Sequence, residues 1–384
     1  MKIGLAAFSL VILCVSASAQ NQPPVVAPTP AAVRSARPKS PEVHTDRSVT
    51  FRFAAPNAKA VQLFLEGAMP APMTKDEAGV WSITVAPLEP DWYGYSFLSD
   101  GVFAIDPANH WLKPNLIATQ SMVHVPGPSS LPWEINDVPH GDLHHHLYRA
   151  KVTGDFRDYY VYTPPGYDPL GNTKYPVLYL LHGFSDDAQA WPMVGKADII
   201  LDNLISEGKA KPMIVVMPFG YGNPAVIEGG FGILEKDIRL RDDNLAKFTQ
   251  GLLSEIIPQV ETNYRVDGDQ KSRAIAGLSM GGSESLLTGL NHLDKFAWVA
   301  SFSAGALPES YDQYFSGLTS SANGKLKLLW IACGTADFLI ANNRKFRDWL
   351  TTKGVNHVDV ETPGAHTWMV WRRNLATLAP LLFR

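Results

Sequence analysis

Cysteine is nearly absent. The chain of 384 residues carries two, Cys14 and Cys333. Cys14 falls inside an N-terminal segment expected to be removed, so one thiol remains and an internal disulfide is excluded. An excess of one charge is missing as well. Lys and Arg number 33 against 37 Asp and Glu, a formal net charge of −4, and no basic surface for nucleic acid is expected. Beyond Val15 no apolar run is long enough to span a bilayer. Metal-ligand spacing is lacking too. In His144-His145-His146, strand alternation sends neighbours to opposite faces, with no carboxylate or cysteine at ligand spacing. No metal and no cofactor are expected.

The apolar fraction, 46%, is that of a globular protein, and the length allows two domains. Lys2, the apolar run Ile3–Val15 and Ala17-Ser18-Ala19 have the layout of a signal peptide, 1–19, cleaved after Ala19. Leu13 is too bulky for a lipoprotein cleavage site before Cys14, so no membrane anchor is expected after cleavage and the chain is periplasmic or secreted. Residues 20–41, rich in Pro, Ala, Val and Ser without period, read as a disordered linker.

Alternating strands follow over 42–125. Val49, Phe51 and Phe53 share a face, as do Val61, Leu63 and Leu65, then Trp81, Ile83 and Val85, then Tyr93, Tyr95 and Phe97. Turn residues separate them, which predicts a small immunoglobulin-like β-sandwich. Its aromatics invite a sugar-stacking reading, with Trp92 and Trp111 as the expected exposed rings. Residues 126–139 form a Pro/Ser-rich linker.

From 140 to 384 strands and helices alternate. Tyr175–Gly183, Met213–Pro218, Arg273–Leu278, Trp298–Phe302, Leu326–Cys333 and Val355–Glu361 read as strands. Lys196–Gly208, Asn244–Asn263, Asn342–Lys353 and a stretch from about Thr367 read as helices, with a long Gly-rich loop at Phe219–Leu240. The expected class is α/β, a doubly wound, mostly parallel sheet.

The stretch Arg273–Gly282, RAIAGLSMGG, holds Gly277-Leu278-Ser279-Met280-Gly281, a G-x-S-x-G between a strand and a helix. A serine hydroxyl is a weak nucleophile until it is held exposed beside a base, and a strand-to-helix turn holds it so. In open α/β sheets ligands sit beyond the carboxyl ends of strands. Asp337 and His366 each follow such an end, so the order is Ser, Asp, His, that of the α/β-hydrolase fold. His366 would take the serine proton and Asp337 would fix its tautomer. Asp348 falls mid-helix and Asp359 mid-strand, and His182, His292 and His357 are read as structural. Met280 N–H and Phe184 N–H are the expected oxyanion donors. Cys333 is read as a buried strand residue.

These residues carry a resemblance. VYTPPGYD (161–168), YLLHGFSDD (179–187), GLSMGG (277–282), CGTADFL (333–339) and PGAHTWMVWRRNL (363–375) resemble the esterase D or carbohydrate esterase family 1 group, which includes feruloyl, acetylxylan and siderophore esterases. FAIDPAN (103–109) is similar to the end of a family-48 carbohydrate-binding module. The resemblance implies that Ser279, Asp337 and His366 are the triad and that Met280 and Phe184 frame the oxyanion hole.

A hydroxycinnamoyl ring needs a flat apolar slot beside the serine. Trp191, Trp368 and Tyr221 are the candidates to supply it, with Phe219 and Phe231 in the same Gly-rich loop as Tyr221, while Trp371 is assigned to the core. The leading expectation is a serine esterase releasing hydroxycinnamates from feruloylated or acetylated polysaccharide. An acetylxylan esterase and a siderophore esterase are the alternatives. The last ranks lower because Asp237, Asp242 and Asp243 offset Arg239 and Arg241. Acyl transfer to an alcohol, and a carbohydrate-binding protein with a vestigial hydrolase domain, are the remaining readings.

Overall fold

The computed structural model describes residues 37–384. The expected signal peptide and the linker up to residue 36 lie outside the described residues. The end of that linker is attached rather than loose, since the buried Ser40 donates from Oγ to Asp106 Oδ2 at 2.6 Å.

Residues 42–125 form two antiparallel sheets over one core. The strands Glu42–Val43, Val49–Ala54, Val80–Val85 and Thr74–Lys75 make one sheet. The other is ordered Ala71–Pro72, Val61–Leu65, Asp91–Ser99, Gln120–Val125, Leu112–Lys113, with Val102–Ala104 beside Asp91–Ser99. The residues predicted to share the inner faces, among them Phe51, Leu63, Trp81, Tyr95 and Phe97, do meet in that core. Strand alternation sends Trp92 out of the opposite face. There it is 2% exposed and joins the core of the second half, together with Met122 and Trp133. Trp92, expected as an exposed ring, is therefore part of an internal seam. Lys196 Nζ lies 4.1 Å from its ring centroid, and His124 stacks on it at 4.3 Å.

The segment 126–139 is also not a loose linker. Trp133 is buried, and Asn203 Nδ2 donates to the carbonyls of Pro132 and Glu134 at 2.8 Å each. Pro38–Arg384 consequently form one compact unit.

The second half is built on an eight-stranded sheet. Its order is Asp142–Arg149, Phe156–Thr163, Ile214–Pro218, Val177–Leu181, Arg273–Leu278, Trp298–Phe302, Leu328–Gly334, Val358–Thr362. The first two strands pair antiparallel, Phe156–Thr163 is antiparallel to Ile214–Pro218, and the others run parallel. Helices cover both faces, which is why the central strands read as unbroken apolar runs. Val177, Tyr179, Leu181 and Ile275 pack on one side, and Leu178, Leu180, Ala274 and Ala276 on the other.

Two elements differ from expectation. The helix expected to start at Asn244 starts at Ile238, because Asp237 caps it by accepting the Leu240 N–H at 3.0 Å; it continues through a π segment, Leu252–Ile256, to Asn263. The Gly-rich loop contains two one-turn helices, Ala225–Glu228 and Ile233–Lys236.

Candidate active site

Ser279 ends the strand Arg273–Leu278 and precedes the helix Met280–Asn291. Its backbone is strained, with φ 52° and ψ −116°. A non-glycine residue in so rare a conformation costs about 1–3 kcal/mol and persists only where its surroundings enforce it. Here Ser279 N–H donates to the Phe302 carbonyl and Gly305 N–H to the Ser279 carbonyl, both at 2.9 Å. The flanking glycines are obligatory. A Cβ on Gly277 would lie 2.3 Å from the Gly281 carbonyl oxygen, and one on Gly281 equally close to that of His182.

His366 Nε2 is 3.0 Å from Ser279 Oγ, and His366 Nδ1 is 2.8 Å from Asp337 Oδ2. Asp337 is buried, and its other oxygen accepts the Leu339 N–H at 2.8 Å. Burial acts to raise the Asp337 carboxyl, but the hydrogen bond and charge of His366, with hydrogen bonds from Leu339 and Ser303, together hold the group below its ordinary value. The carboxylate can therefore accept the Nδ1–H, which leaves Nε2 free to take a proton from the serine. The other candidates stand apart. Asp348 lies in the helix Ile340–Thr352 and Asp359 in the edge strand Val358–Thr362, where it pairs with His357.

Met280 is the first residue of its helix, so the helix offers its N–H no partner. Phe184 lies in the turn after the strand Val177–Leu181, and both residues border Ser279. His182 braces that turn from beneath. Its Nδ1–H donates to the Gly183 carbonyl, and its Nε2 accepts the Gly220 N–H, both at 2.8 Å. Burial pushes its pKa down, so it is a neutral, structural imidazole. Cys333 is buried, and its thiol is pushed up to about 12 by burial first and the Asp337 charge second, which leaves it inert.

Two cavities meet at Ser279. The narrower, about 410 Å³ with its mouth, is an apolar slot lined by Phe184, Phe231, Ile233, Met280, Phe338 and Leu339 among others. Phe231 and Phe338 are 78% and 63% exposed, and the Phe338 ring centroid lies 4.8 Å from that of His366. The wider, about 1000 Å³, shares Phe184 and Phe231 with the slot and is bounded on one side by the N-terminal sheets, through Glu66, Lys113, Asn115 and Gln120. Facing them are Ser185, Asp186, His366 and Trp368. Burial pushes the Asp186 carboxyl up to about 7.

Of the three leading candidates only Trp368 borders a cavity, the wider one, whereas Phe231 of the Gly-rich loop borders both. Trp191 is 0% exposed and points inward; its Nε1–H donates to the Leu181 carbonyl at 2.9 Å, and it packs on Trp368 and Phe302. Tyr221 is fully buried as well. Its hydroxyl accepts the Ser185 N–H at 2.6 Å, so it holds the turn instead of touching a ligand. Phe338 was overlooked. An aromatic directly after the acid, in a loop at a strand's carboxyl end, was the available signal. Glu66, Lys113 and Asn115 carried no local signal at all.

Comparison with known proteins shows the family to which the chain belongs. The family model described as "Putative esterase" matches residues 150–382. An endo-1,4-beta-xylanase/feruloyl esterase of Xylanibacter ruminicola is 31% identical over 356 residues, 90% of this chain and 46% of that protein, so the chain spans about half the length of this relative. An acetyl esterase of Caldicellulosiruptor saccharolyticus is 23% identical, covering 52% of this chain and 80% of its own. Among solved structures, a CE1 ferulic acid esterase from Anaeromyces mucronatus superposes with a TM-score of 0.58 at 25% identity, over 67% of this chain and 96% of that one. The enterobactin esterase of Shigella flexneri reaches 0.65 at 18% identity, over 87% and 92%, a likeness of fold. The matched span contains every strand of the α/β sheet except Asp142–Arg149, and the hydrogen-bonded line from Ser279 through His366 to Asp337, and this chain belongs to the "Putative esterase" family.

Proposed function

We propose that this protein is a serine carboxylester hydrolase that cleaves hydroxycinnamoyl esters from plant cell-wall polysaccharide. The observation that carries the reading is the position of the Ser279–His366–Asp337 line where an apolar, phenylalanine-lined slot meets a wider cleft edged by charged and amide side chains. An aromatic acyl group matches the slot and a sugar matches the cleft.

In this reading His366 Nε2 accepts the Ser279 proton as Oγ attacks the ester carbonyl. The oxyanion is held by the N–H groups of Met280 and Phe184. As the tetrahedral intermediate collapses, the imidazolium gives its proton to the departing sugar alcohol, leaving an acyl-Ser279. Water then attacks with His366 again as base, the acid is released, and Ser279 recovers its proton.

The similarity to a xylanase/feruloyl esterase and to a ferulic acid esterase supports the acyl group proposed. A highly anionic siderophore would want a basic cleft, whereas the lysine in this one, Lys113, is paired with Glu66 at 3.2 Å and faces Asp186. An immunoglobulin-like identity for the N-terminal sheets, and export through the leader ending at Ala19, belong to the same proposal.

The test is kcat/KM on methyl ferulate and on 4-nitrophenyl acetate, for wild type and Ser279→Ala. Hydrolysis of both, with turnover falling at least about 10⁴-fold in the variant, is expected. Cleavage of the acetate alone would replace the hydroxycinnamoyl reading with an acetyl esterase. Cleavage of neither by folded protein would sink the esterase reading.

A further inference from the structure

The N-terminal sheets reach the catalytic machinery at two points. The first is Glu66, which follows the strand Val61–Leu65. Its Oε1 accepts the N–H of Trp368 at 3.0 Å. Trp368 opens the helix Trp368–Leu378 and lies two residues after His366. The Glu66 Oε2 accepts from the Gly94 N–H at 3.0 Å and from Lys113 Nζ at 3.2 Å. Burial acts to raise this carboxyl, yet Lys113, Arg372 and the two N–H donors hold it below its ordinary value, so an anion sits at the helix's N-terminal end.

The second point is Asn115. Its Nδ2 donates to Ser185 Oγ at 2.9 Å and to Asp186 Oδ1 at 3.1 Å. Its Oδ1 is fixed in turn by the N–H groups of Ile117 and Ala118, both at 3.0 Å. Next to it, Leu116 N–H donates to the Ser185 carbonyl at 2.7 Å. The turn gripped in this way carries Phe184, and it holds Ser185 at a positive φ of 71°. Tyr221 holds the same turn from the inside. Behind both grips the seam is tied by buried hydrogen bonds. Arg372, from the helix that Glu66 caps, is fully buried; it donates from Nε to Asp91 at 2.8 Å, from Nη1 to the Val194 carbonyl at 2.8 Å and from Nη2 to the Trp92 carbonyl.

We propose that Glu66 and Asn115 are positioning residues of the esterase reaction. Through Trp368, Glu66 fixes the approach of His366 to Ser279. Through Ser185, Asn115 fixes the Phe184 N–H. The N-terminal sheets are then an integral part of the catalytic apparatus, not a separable module that only gathers substrate. This rests on the triad reading above. Angstrom-scale displacement of a catalytic group is enough to cost about 10²-fold in rate, so lost grips should appear in kcat.

The experiment uses the full chain and the variants Glu66→Ala, Glu66→Gln and Asn115→Ala. Active sites are titrated with a fluorophosphonate, and kcat and KM on 4-nitrophenyl acetate are taken per titrated site. Glu66→Ala should lower kcat about 10- to 100-fold with KM within about threefold. Glu66→Gln keeps an oxygen for the Trp368 N–H and should recover most of that loss. Asn115→Ala should lower kcat about tenfold. A role confined to stability would lower the melting temperature and the titratable fraction but leave kcat per site unchanged, and that result in Glu66→Ala and Asn115→Ala overturns the proposal. Should Glu66→Ala not fold, unchanged kcat in Asn115→Ala overturns it. Failure of the wild type itself to react or hydrolyse would instead sink the esterase reading.

Discussion

The two cavities at Ser279 are made of different material. The slot is apolar, and its lining falls between Phe184 and Leu339, all of it within the α/β half. The cleft adds charged and amide side chains, and the wall that carries Glu66, Lys113, Asn115 and Gln120 is supplied by residues 66 to 120, from the N-terminal sheets. In the proposed reaction, what is transferred is selected by the same loops that carry the nucleophile and the acid. What is released is selected by a part of the chain far away in sequence. Phe184, Phe231 and Ser279 border both cavities, but the remaining lining differs, and substitutions can test whether the acyl and alcohol sides can be altered separately.

The largest effect should come from removing the wall. Asp91→Ala leaves the fully buried Arg372 guanidinium without its carboxylate, and breaking such a pair costs about 3–5 kcal/mol. Denaturant unfolding should show that loss. If the two halves were independent, a separate transition of the N-terminal sheets would move alone; one shared transition is expected, since they form one compact unit.

A crossed pair of substitutions sharpens the contrast at smaller magnitude. Phe231→Ala removes an exposed ring from the slot and should lower kcat/KM for methyl ferulate about tenfold while sparing 4-nitrophenyl acetate. Ala118→Trp fills the cleft and should lower kcat/KM for a feruloylated arabino-oligosaccharide about tenfold while sparing methyl ferulate. Equal losses on every ester in both variants would mean that the two cavities are not separate binding sites.

The smallest effect concerns Asp186, between the wall and the oxyanion turn. Burial raises its folded-state pKa to about 7 from an ordinary 3.8. Between those values the folded protein keeps a proton that the unfolded chain has lost, so this group contributes less to stability as pH rises from about 4 to 7. Asp186→Asn removes that dependence. Relative to wild type, its melting temperature should gain roughly 2–4 °C between pH 5 and pH 7. A parallel pair of curves would show that the carboxyl is ionised throughout.

Much of the α/β half was legible because its signals are local. Unbroken apolar strands, the G-x-S-x-G turn, and an Asp and a His each just past a strand's carboxyl end all lie within short windows. The structure joins those three side chains through hydrogen bonds of 3.0 and 2.8 Å. The slot was misassigned for a physical reason. Trp191 and Tyr221 lie in the correct loops, but sequence does not say which way a loop aromatic turns. Trp191 Nε1–H found a carbonyl in the sheet, and the Tyr221 hydroxyl found a backbone N–H, so both rings went inward. Phe231 and Phe338 stay exposed and line the slot.

By itself the sequence determined the order of elements, the inner faces of the N-terminal sheets and the Ser–Asp–His line, since periodicity and turn chemistry act over a few residues. The tertiary structure alone decided that Trp92 faces a seam instead of solvent, that residues 126–139 are pinned, and that Glu66 and Asn115 meet the loops around Ser279. Those contacts join residues from about 70 to 302 positions apart. A buried carboxylate or amide is placed by the donors that satisfy it, and those donors assemble only when the two halves close on each other.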